Sequence, residues 1–425
     1  MQLDQATPEQ LRQWESELTA DYQAILAKKL NLDLTRGKPS SEQLDLSDAL
    51  DGILQGNFKS ADGTDTRNYG GLDGIMEARE LGASILGLTA AQVIAGGSSS
   101  LTLMYQAAMT GYFFGFAGAA SAWKNIPGAK FLCPVPGYDR HFSVCEQLGI
   151  ELVTVPMTAT GPDMDQVEAM IKADQSIIGM WCVPKYSNPT GVVYSDATVQ
   201  RIAALAKIAN PAFRVFWDNA YAVHDLIDNP PQLANIMAAC VAAGTEDSVL
   251  QFTSTSKISH AGSGVAFMGG SANNLNGFRK MLTSATIGPD KVNQLRHMKL
   301  LPDMAALSAH MSKHATILKP RFEAVLSKLD QAFGGTNLGS WEKPVGGYFV
   351  SFDTRPGCAK EVVRMAAEAG VKLTPAGATF PYGKDPEDRN IRIAPSVPTI
   401  AEVNGAMDVF EICVKLASVR KQLQG

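Results

Sequence analysis

The chain has 425 residues, a formal net charge of −5 and ordinary apolar and glycine content. That length implies two or more domains, and an acidic balance with no basic stripe argues against nucleic acid as a partner. No apolar run approaches the ~18 residues of a membrane span, and the start, MQLDQATPEQLRQWESEL, lacks the apolar segment of a secretory signal.

Residues 8–29 have helical periodicity, with Leu11, Trp14, Leu18, Tyr22 and Leu26 on one side and Thr7 as a cap. LNLDLTRGKPSSEQLDLS (30–47) is extended, with a turn at 37–39 flanked by Arg36 and Lys38. Two cations beside a flexible backbone amide suit a carboxylate; solvated turn charges are the plainer reading. TRNYGGLDGIMEARELGASILG then opens with a glycine-rich turn and enters a helix. Beyond Ile94, Gly96–Gly97 and the serines at 98, 99 and 100 precede an apolar helix. Free N–H groups at a helix start, with hydroxyls beside them, make an anion site suited to phosphate, although serine is also a common cap.

From here strands and helices alternate. Strands are expected at 130–133, 151–155, 177–183 and 213–217, with helices after PGYD and at 197–209. Such alternation implies a mostly parallel sheet covered on both faces, with ligands bound beyond the carboxyl ends of its strands. Ser98, Asn188, Asp218, Tyr221 and Lys257 all fall just after predicted strands, so one crevice can hold them all. Beyond residue 270, segment 301–333 is helical and leads to a second domain. Strands at 346–352 and 390–394, a helix at 360–369 and a closing helix at 399–423 follow. Arg392, in a half-buried strand, needs an anionic partner, either a structural carboxylate or a substrate. The six cysteines lie apart, with no CxxC pair, and read as buried free thiols of a reducing compartment, so the expected location is cytoplasmic. His310 and His314 have the i, i+4 spacing of a helical metal site but lack the glutamate of HExxH, so a chance pair is the plainer reading.

The chain is organised around SVLQFTSTSKISHAGSGVAFMGG (248–270). Two short apolar strands flank a loop rich in Ser, Thr and Gly that carries Lys257. A lone lysine in a polar loop is ordinarily just solvated. Its neighbours in the crevice change that reading. Pyridoxal phosphate requires a lysine for imine formation, an anion cradle, a carboxylate facing its ring nitrogen and a flat partner for its ring. Lys257, the serines at 98–100 with Ser254 and Ser256, Asp218 and Tyr138 match these needs, while Asn188 and Tyr221 can donate to the ring oxygen.

YSNPTG (186–191), DNAY (218–221), STSK (254–257) and PGY (136–138) resemble the fold-type I aminotransferases that use pyridoxal phosphate. Their order and spacing match over residues 30–420, and LTRGKPSSEQLDLS, TRNYGG and GGSSSLTLMY resemble a subgroup of aspartate aminotransferases. The resemblance implies an α/β fold with a mostly parallel central sheet flanked by helices, plus a smaller α+β domain. It implies an N-terminal arm and part of the small domain in 1–50, a large cofactor-binding domain in 51–305 and the rest of the small domain in 306–425. Lys257 would be the imine lysine and proton shuttle, Asp218 the partner of the pyridinium, and Asn188 and Tyr221 the contacts of the phenolate oxygen. Tyr138 would stack on the ring, and Ser98, Ser99, Ser100, Ser254 and Ser256 would hold phosphate. Tyr69 resembles a tyrosine that reaches the partner subunit's phosphate, which implies a homodimer with active sites at the interface. Arg392, assisted by the Gly37 amide, matches the grip on the substrate α-carboxylate.

One position departs from the pattern. Most relatives carry a phosphate-binding arginine eight residues after the lysine, where this chain has Val265. For the side-chain carboxylate of a dicarboxylic substrate, Arg36, Lys38, Lys291 and Arg296 are candidates, with Arg36 favoured. The expected reaction is ping-pong transfer of the amino group of L-aspartate to 2-oxoglutarate. The alternatives are another amino donor (alanine, an aromatic or aminoadipate), a β-lyase on the same scaffold, and a cofactor-binding regulator without turnover. A dehydrogenase fits poorly, since no GxGxxG opens a helix after a strand.

Overall fold

A computed structural model describes residues 2–424. Eight strands form the central sheet: β1 (Val93–Ala95), β2 (Lys130–Val135), β3 (Glu151–Thr158), β4 (Gly161–Pro162), β5 (Ile177–Cys182), β6 (Arg214–Asp218), β7 (Val249–Ser254) and β8 (Ala266–Gly270). Their order is β1-β8-β7-β6-β5-β2-β3-β4. β2, β3, β5, β6 and β7 pair in parallel, whereas β8 runs antiparallel to both β7 and β1. The carboxyl ends of β1, β2, β5, β6 and β7 therefore open on one side, as expected of a doubly wound sheet.

The central strands are apolar on both faces because helices cover both: every residue of β5, β6, β7 and β8 is buried. Phe131, Trp181, Phe216 and Phe252 pack on one face, and Met180, Val215, Trp217 and Val249 on the other. Three further strands, β9 (Gly339–Trp341), β10 (Val350–Thr354) and β11 (Asn390–Ile393), make an antiparallel sheet in that order. The helix Ile400–Leu423 joins the same core as β10 and β11, through Phe410, Cys413 and Val414.

The N-terminal segment belongs to that second core. Helix Pro8–Leu26 starts at a capping box between Thr7 and Gln10, a device that stabilises a helix by about 1 kcal/mol. Its buried Leu11, Leu18 and Tyr22 pack in the cluster that holds Val350, Phe352 and Phe410. Leu32–Asp33 pairs in parallel with Val371–Lys372, which anchors the extended stretch before Arg36. One helix, Met304–Phe333, serves both cores: Leu307 and Met311 lie in the cluster of Val93 and Phe267, whereas Leu318, Phe322 and Val325 lie with the C-terminal strands.

Two expected elements shift. The strand expected from residue 346 begins at Val350, because the Val345 and Gly347 backbones bond across to Leu226 and His224 instead of to the sheet. The helix expected over 197–209 runs Asp196–Ala204 and tightens into a 3-10 turn at Leu205–Lys207. All six cysteines are buried and unpaired. His310 and His314 are buried with ring nitrogens 3.1 Å apart; His310 reaches the Ile258 carbonyl at 2.7 Å, and Gln43 lies 2.9 Å from His314. Among the described residues, no helix is long and apolar enough to cross a membrane.

Candidate active site

Asp218 ends β6, 3% exposed, among the aromatic side chains under the sheet's carboxyl edge. Its Oδ2 accepts a hydrogen bond from His141 Nε2 at 2.9 Å, and its Oδ1 is buried without a partner. His141 is held flat against Trp181, ring centroids 4.3 Å apart and 10° between planes. Tyr138 and His141 meet edge to face, ring centroids 4.9 Å apart. Both come from the turn after β2: Tyr138 is the N-cap of helix Asp139–Leu148, and His141 lies three residues on, on the same face. Burial, with the Asp218 charge nearby, pushes the Tyr138 hydroxyl up to about 12.

Lys257 lies in the loop between β7 and β8, its Nζ 5.2 Å from the centre of the Tyr221 ring. Burial pulls its ammonium below the usual 10.5; the Arg392 charge acts in the same sense, and Asp218 opposes both. Burial also drives the Tyr221 hydroxyl well above its ordinary value, so it remains a donor.

The loop is pinned from behind. Thr255 Oγ1 accepts from the Val265 N–H at 2.8 Å and from Ser259 Oγ at 3.1 Å. The Lys257 carbonyl accepts from His224 Nε2 at 3.3 Å and from the Tyr348 hydroxyl at 3.4 Å. Burial and the nearby Lys257 hold His224 neutral, its pKa pulled down to about 3.

The serines converge on one end of the crevice. Ser99 caps helix Ser100–Met109, its Oγ accepting from the Leu101 N–H at 3.2 Å. Ser256 Oγ donates to the Ser98 carbonyl at 2.8 Å, and Ser254 Oγ donates to Ser256 Oγ at 3.1 Å. Gly264 closes the cradle: a Cβ there would lie 3.0 Å from both the Ser256 nitrogen and the Ser98 oxygen. Val265 is 1% exposed and part of the core, so its side chain contributes nothing to an anion.

Arg392, on β11, is 6% exposed and reaches the crevice beside Asn188. Its Nη1 donates to Asn188 Oδ1 at 3.2 Å and to Asp139 Oδ1 at 3.1 Å. The guanidinium carbon lies 4.8 Å from the centre of the Phe349 ring. The same ring packs against Gly37, where a Cβ would come within 2.5 Å of it, so the Gly37 backbone lies beside the arginine. Arg36 and Lys38, on either side of Gly37, are exposed.

The other cations are placed differently. Lys291 is 5% exposed and donates to the carbonyls of Asn68 and Gly70 at 2.8 and 2.6 Å, which fixes the loop that carries Tyr69. Tyr69 itself is 83% exposed, and Arg296 is exposed on helix Lys291–Leu300.

Strand ends alone bring Lys257, Asp218, Tyr221, Asn188 and the serines together. They do not point to His141, Asp139, Thr255 or Phe349. The i, i+3 spacing from Tyr138 to His141 is the available sequence signal for one of them; the rest touch the site only through tertiary packing.

The pinned lysine and the half-satisfied carboxylate on this sheet agree with the class that the comparisons show: the protein is an aminotransferase of the pyridoxal-phosphate fold type I. More narrowly, the chain belongs to the family described as aspartate amino-transferase, whose profile matches residues 6–425. It is 45% identical over 411 residues to an aspartate aminotransferase of Corynebacterium glutamicum, covering 96% of this chain and 95% of that one. The crystal structure of an aspartate transaminase from the same species superposes with a TM-score of 0.96 at 44% identity, over 99% of each chain. At 20% identity the likeness to LysN, the α-aminoadipate aminotransferase of Thermus thermophilus, is one of fold, with a TM-score of 0.74 over 94% of this chain and 95% of that one.

Proposed function

We propose that the protein transfers the amino group of L-aspartate to 2-oxoglutarate, using pyridoxal 5′-phosphate, as a homodimer. The observation that carries the cofactor is the unpartnered Oδ1 of Asp218. A buried carboxylate oxygen without a donor is costly, and a pyridinium N–H is a donor of matching charge. Asn188 fits as well: Arg392 occupies its oxygen, which leaves the amide N–H groups to donate into the crevice beside the Tyr221 hydroxyl. The cradle of Ser98, Ser99, Ser100, Ser254 and Ser256 at a helix start suits a phosphate held by hydroxyls and amides rather than by a guanidinium.

When bound, the cofactor supplies the electron sink for chemistry at the substrate α-carbon. The chain's own residues do the rest. Asp218, aligned by His141, keeps the ring nitrogen protonated. Lys257, its pKa lowered by burial, carries the proton from the α-carbon. Tyr138 covers one face, and Arg392 with the Gly37 amide grips the α-carboxylate.

Aspartate as donor draws support from the name of the Corynebacterium glutamicum relative and from Arg36, an exposed cation next to Gly37, whose backbone lies beside Arg392. Tyr69, projecting from a loop fixed by Lys291, is suited to reach a second copy of the chain.

The test is a visible absorption spectrum of the purified protein loaded with pyridoxal phosphate. A yellow band that bleaches with L-aspartate and returns with 2-oxoglutarate is the expected outcome. A band that ignores aspartate but responds to another amino acid removes the donor and keeps the class. Protein that takes up no pyridoxal phosphate refutes the whole reading.

A further inference from the structure

Arg392 would hold a carboxylate of the substrate, yet it already holds one of the protein's own. Its Nη1 donates to Asp139 Oδ1 at 3.1 Å, while Nε lies 3.4 Å from Thr374 Oγ1 and the guanidinium rests on Phe349. Asn188 supplies a neutral oxygen at 3.2 Å; Asp139 supplies the only negative charge in ion-pair contact with this guanidinium among the described residues. The two partners differ in burial. The arginine side chain is 7% exposed, whereas the aspartate side chain is 36% exposed and so has water on one side. Nη2 makes no hydrogen bond among the described residues, so the fork is half used.

A second feature makes the aspartate easy to displace. Asp139 is the first residue of helix Asp139–Leu148, where the unpaired N–H groups and the aligned peptide dipoles favour a negative charge. If its contact with Arg392 breaks, the carboxylate keeps both the helix end and water. Arg392, buried, has no such alternative and must keep an anion.

We infer that Asp139 is an internal stand-in for the substrate carboxylate. It keeps Arg392 paired and aimed while the crevice is free of substrate, yields to an incoming carboxylate, and helps expel the product by returning. This inference rests on Arg392 as the carboxylate grip. Two different acids must enter and leave one site in each cycle, so a competitor that weakens both equally speeds exchange without choosing between them. Its effect falls on every carboxylic ligand alike and not on side-chain specificity. Apparent affinity is reduced by the fraction of molecules in which Asp139 occupies the fork.

The experiment uses the full-length protein loaded with pyridoxal phosphate. Calorimetric titration with succinate, a dicarboxylate with no amino or oxo group to react, gives the dissociation constant for wild type and for Asp139→Asn. Removing a partly exposed ion-pair partner should tighten succinate binding by about two- to fivefold. The KM values for amino donor and oxo acid should fall by a similar factor. Asp139→Ser, which keeps a polar residue at the helix start, guards against fraying of the helix and should change binding in the same direction. Unchanged or weaker binding in either variant overturns the inference and makes Asp139 a residue that merely aims Arg392. Wild-type protein that binds no succinate overturns the role of Arg392 and the inference together. Binding by wild type with a variant that is no tighter overturns the inference alone.

Discussion

The floor and the rim of the crevice are built differently. At the floor, Asp218, His141, Trp181 and Tyr221 are buried, and the Lys257 loop, half-buried at the lysine, is locked by bonds within the chain. At the rim, Arg36 and Lys38 flank Gly37 beside Arg392 and are exposed, and elsewhere Tyr69 and Arg296 are exposed too. In the proposed reaction the floor carries chemistry common to any amino acid, so it must be rigid and pre-aligned. In the same proposal the rim meets the part of the substrate that varies. The proposal therefore assigns the class of reaction to the buried half and the choice of substrate to the exposed half.

Breaking the floor should have the largest effect. Lys257→Ala should lower the rate of the half-reaction with aspartate on the order of 10⁴-fold, because no other side chain replaces its proton transfer. Asp218→Asn should cost roughly 10³-fold. His141→Gln, which removes the hydrogen bond to Asp218, should cost about tenfold, equivalent to about one pKa unit. Single-turnover bleaching of the visible band measures all three. If His141→Gln matches Asp218→Asn, the histidine does more than align the carboxylate.

A smaller and selective effect is expected at the rim. Arg36→Ala should raise the KM for aspartate about tenfold while sparing a neutral donor such as alanine, as loss of a charged hydrogen bond implies. Equal losses on both donors would remove Arg36 from the role, and Arg296→Ala would be compared next.

The smallest effect separates floor from rim by stability. His224 and His314 are held neutral by burial, with pKa values pulled from 6.5 to about 3 and about 4. Below pH 6.5 the unfolded chain takes up protons that the folded chain refuses, so stability should fall as pH drops toward about 4. The slope should be about 1.4 kcal/mol per pH unit for each histidine. Urea midpoints at pH 7 and pH 5 for wild type and His224→Asn check it. A variant as acid-sensitive as wild type would show that His224 is not the group being titrated.

Much of the floor is legible in the sequence, because strand ends are legible. An apolar run followed by a polar turn marks each carboxyl end, and Ser98, Tyr138, Asn188, Asp218 and Lys257 each follow such a run. The turn 346–349 reads as strand by its pattern, since its glycines and aromatics sit beside β10 in sequence, yet it bonds to His224 and Leu226 in space. Lys291 and Arg36 look alike in sequence, each a cation near a loop. Packing separates them: one is tied to two carbonyls, the other is exposed.

Local patterning alone determined the alternating elements and the residues at their ends, because periodicity and turn residues act over a few positions. Only tertiary structure decided that His141 supports Asp218, that Phe349 joins Gly37 to Arg392, and that Asp139 already occupies the arginine's fork. Those contacts join residues up to hundreds of positions apart, and burial, not sequence spacing, sets which charges must find each other.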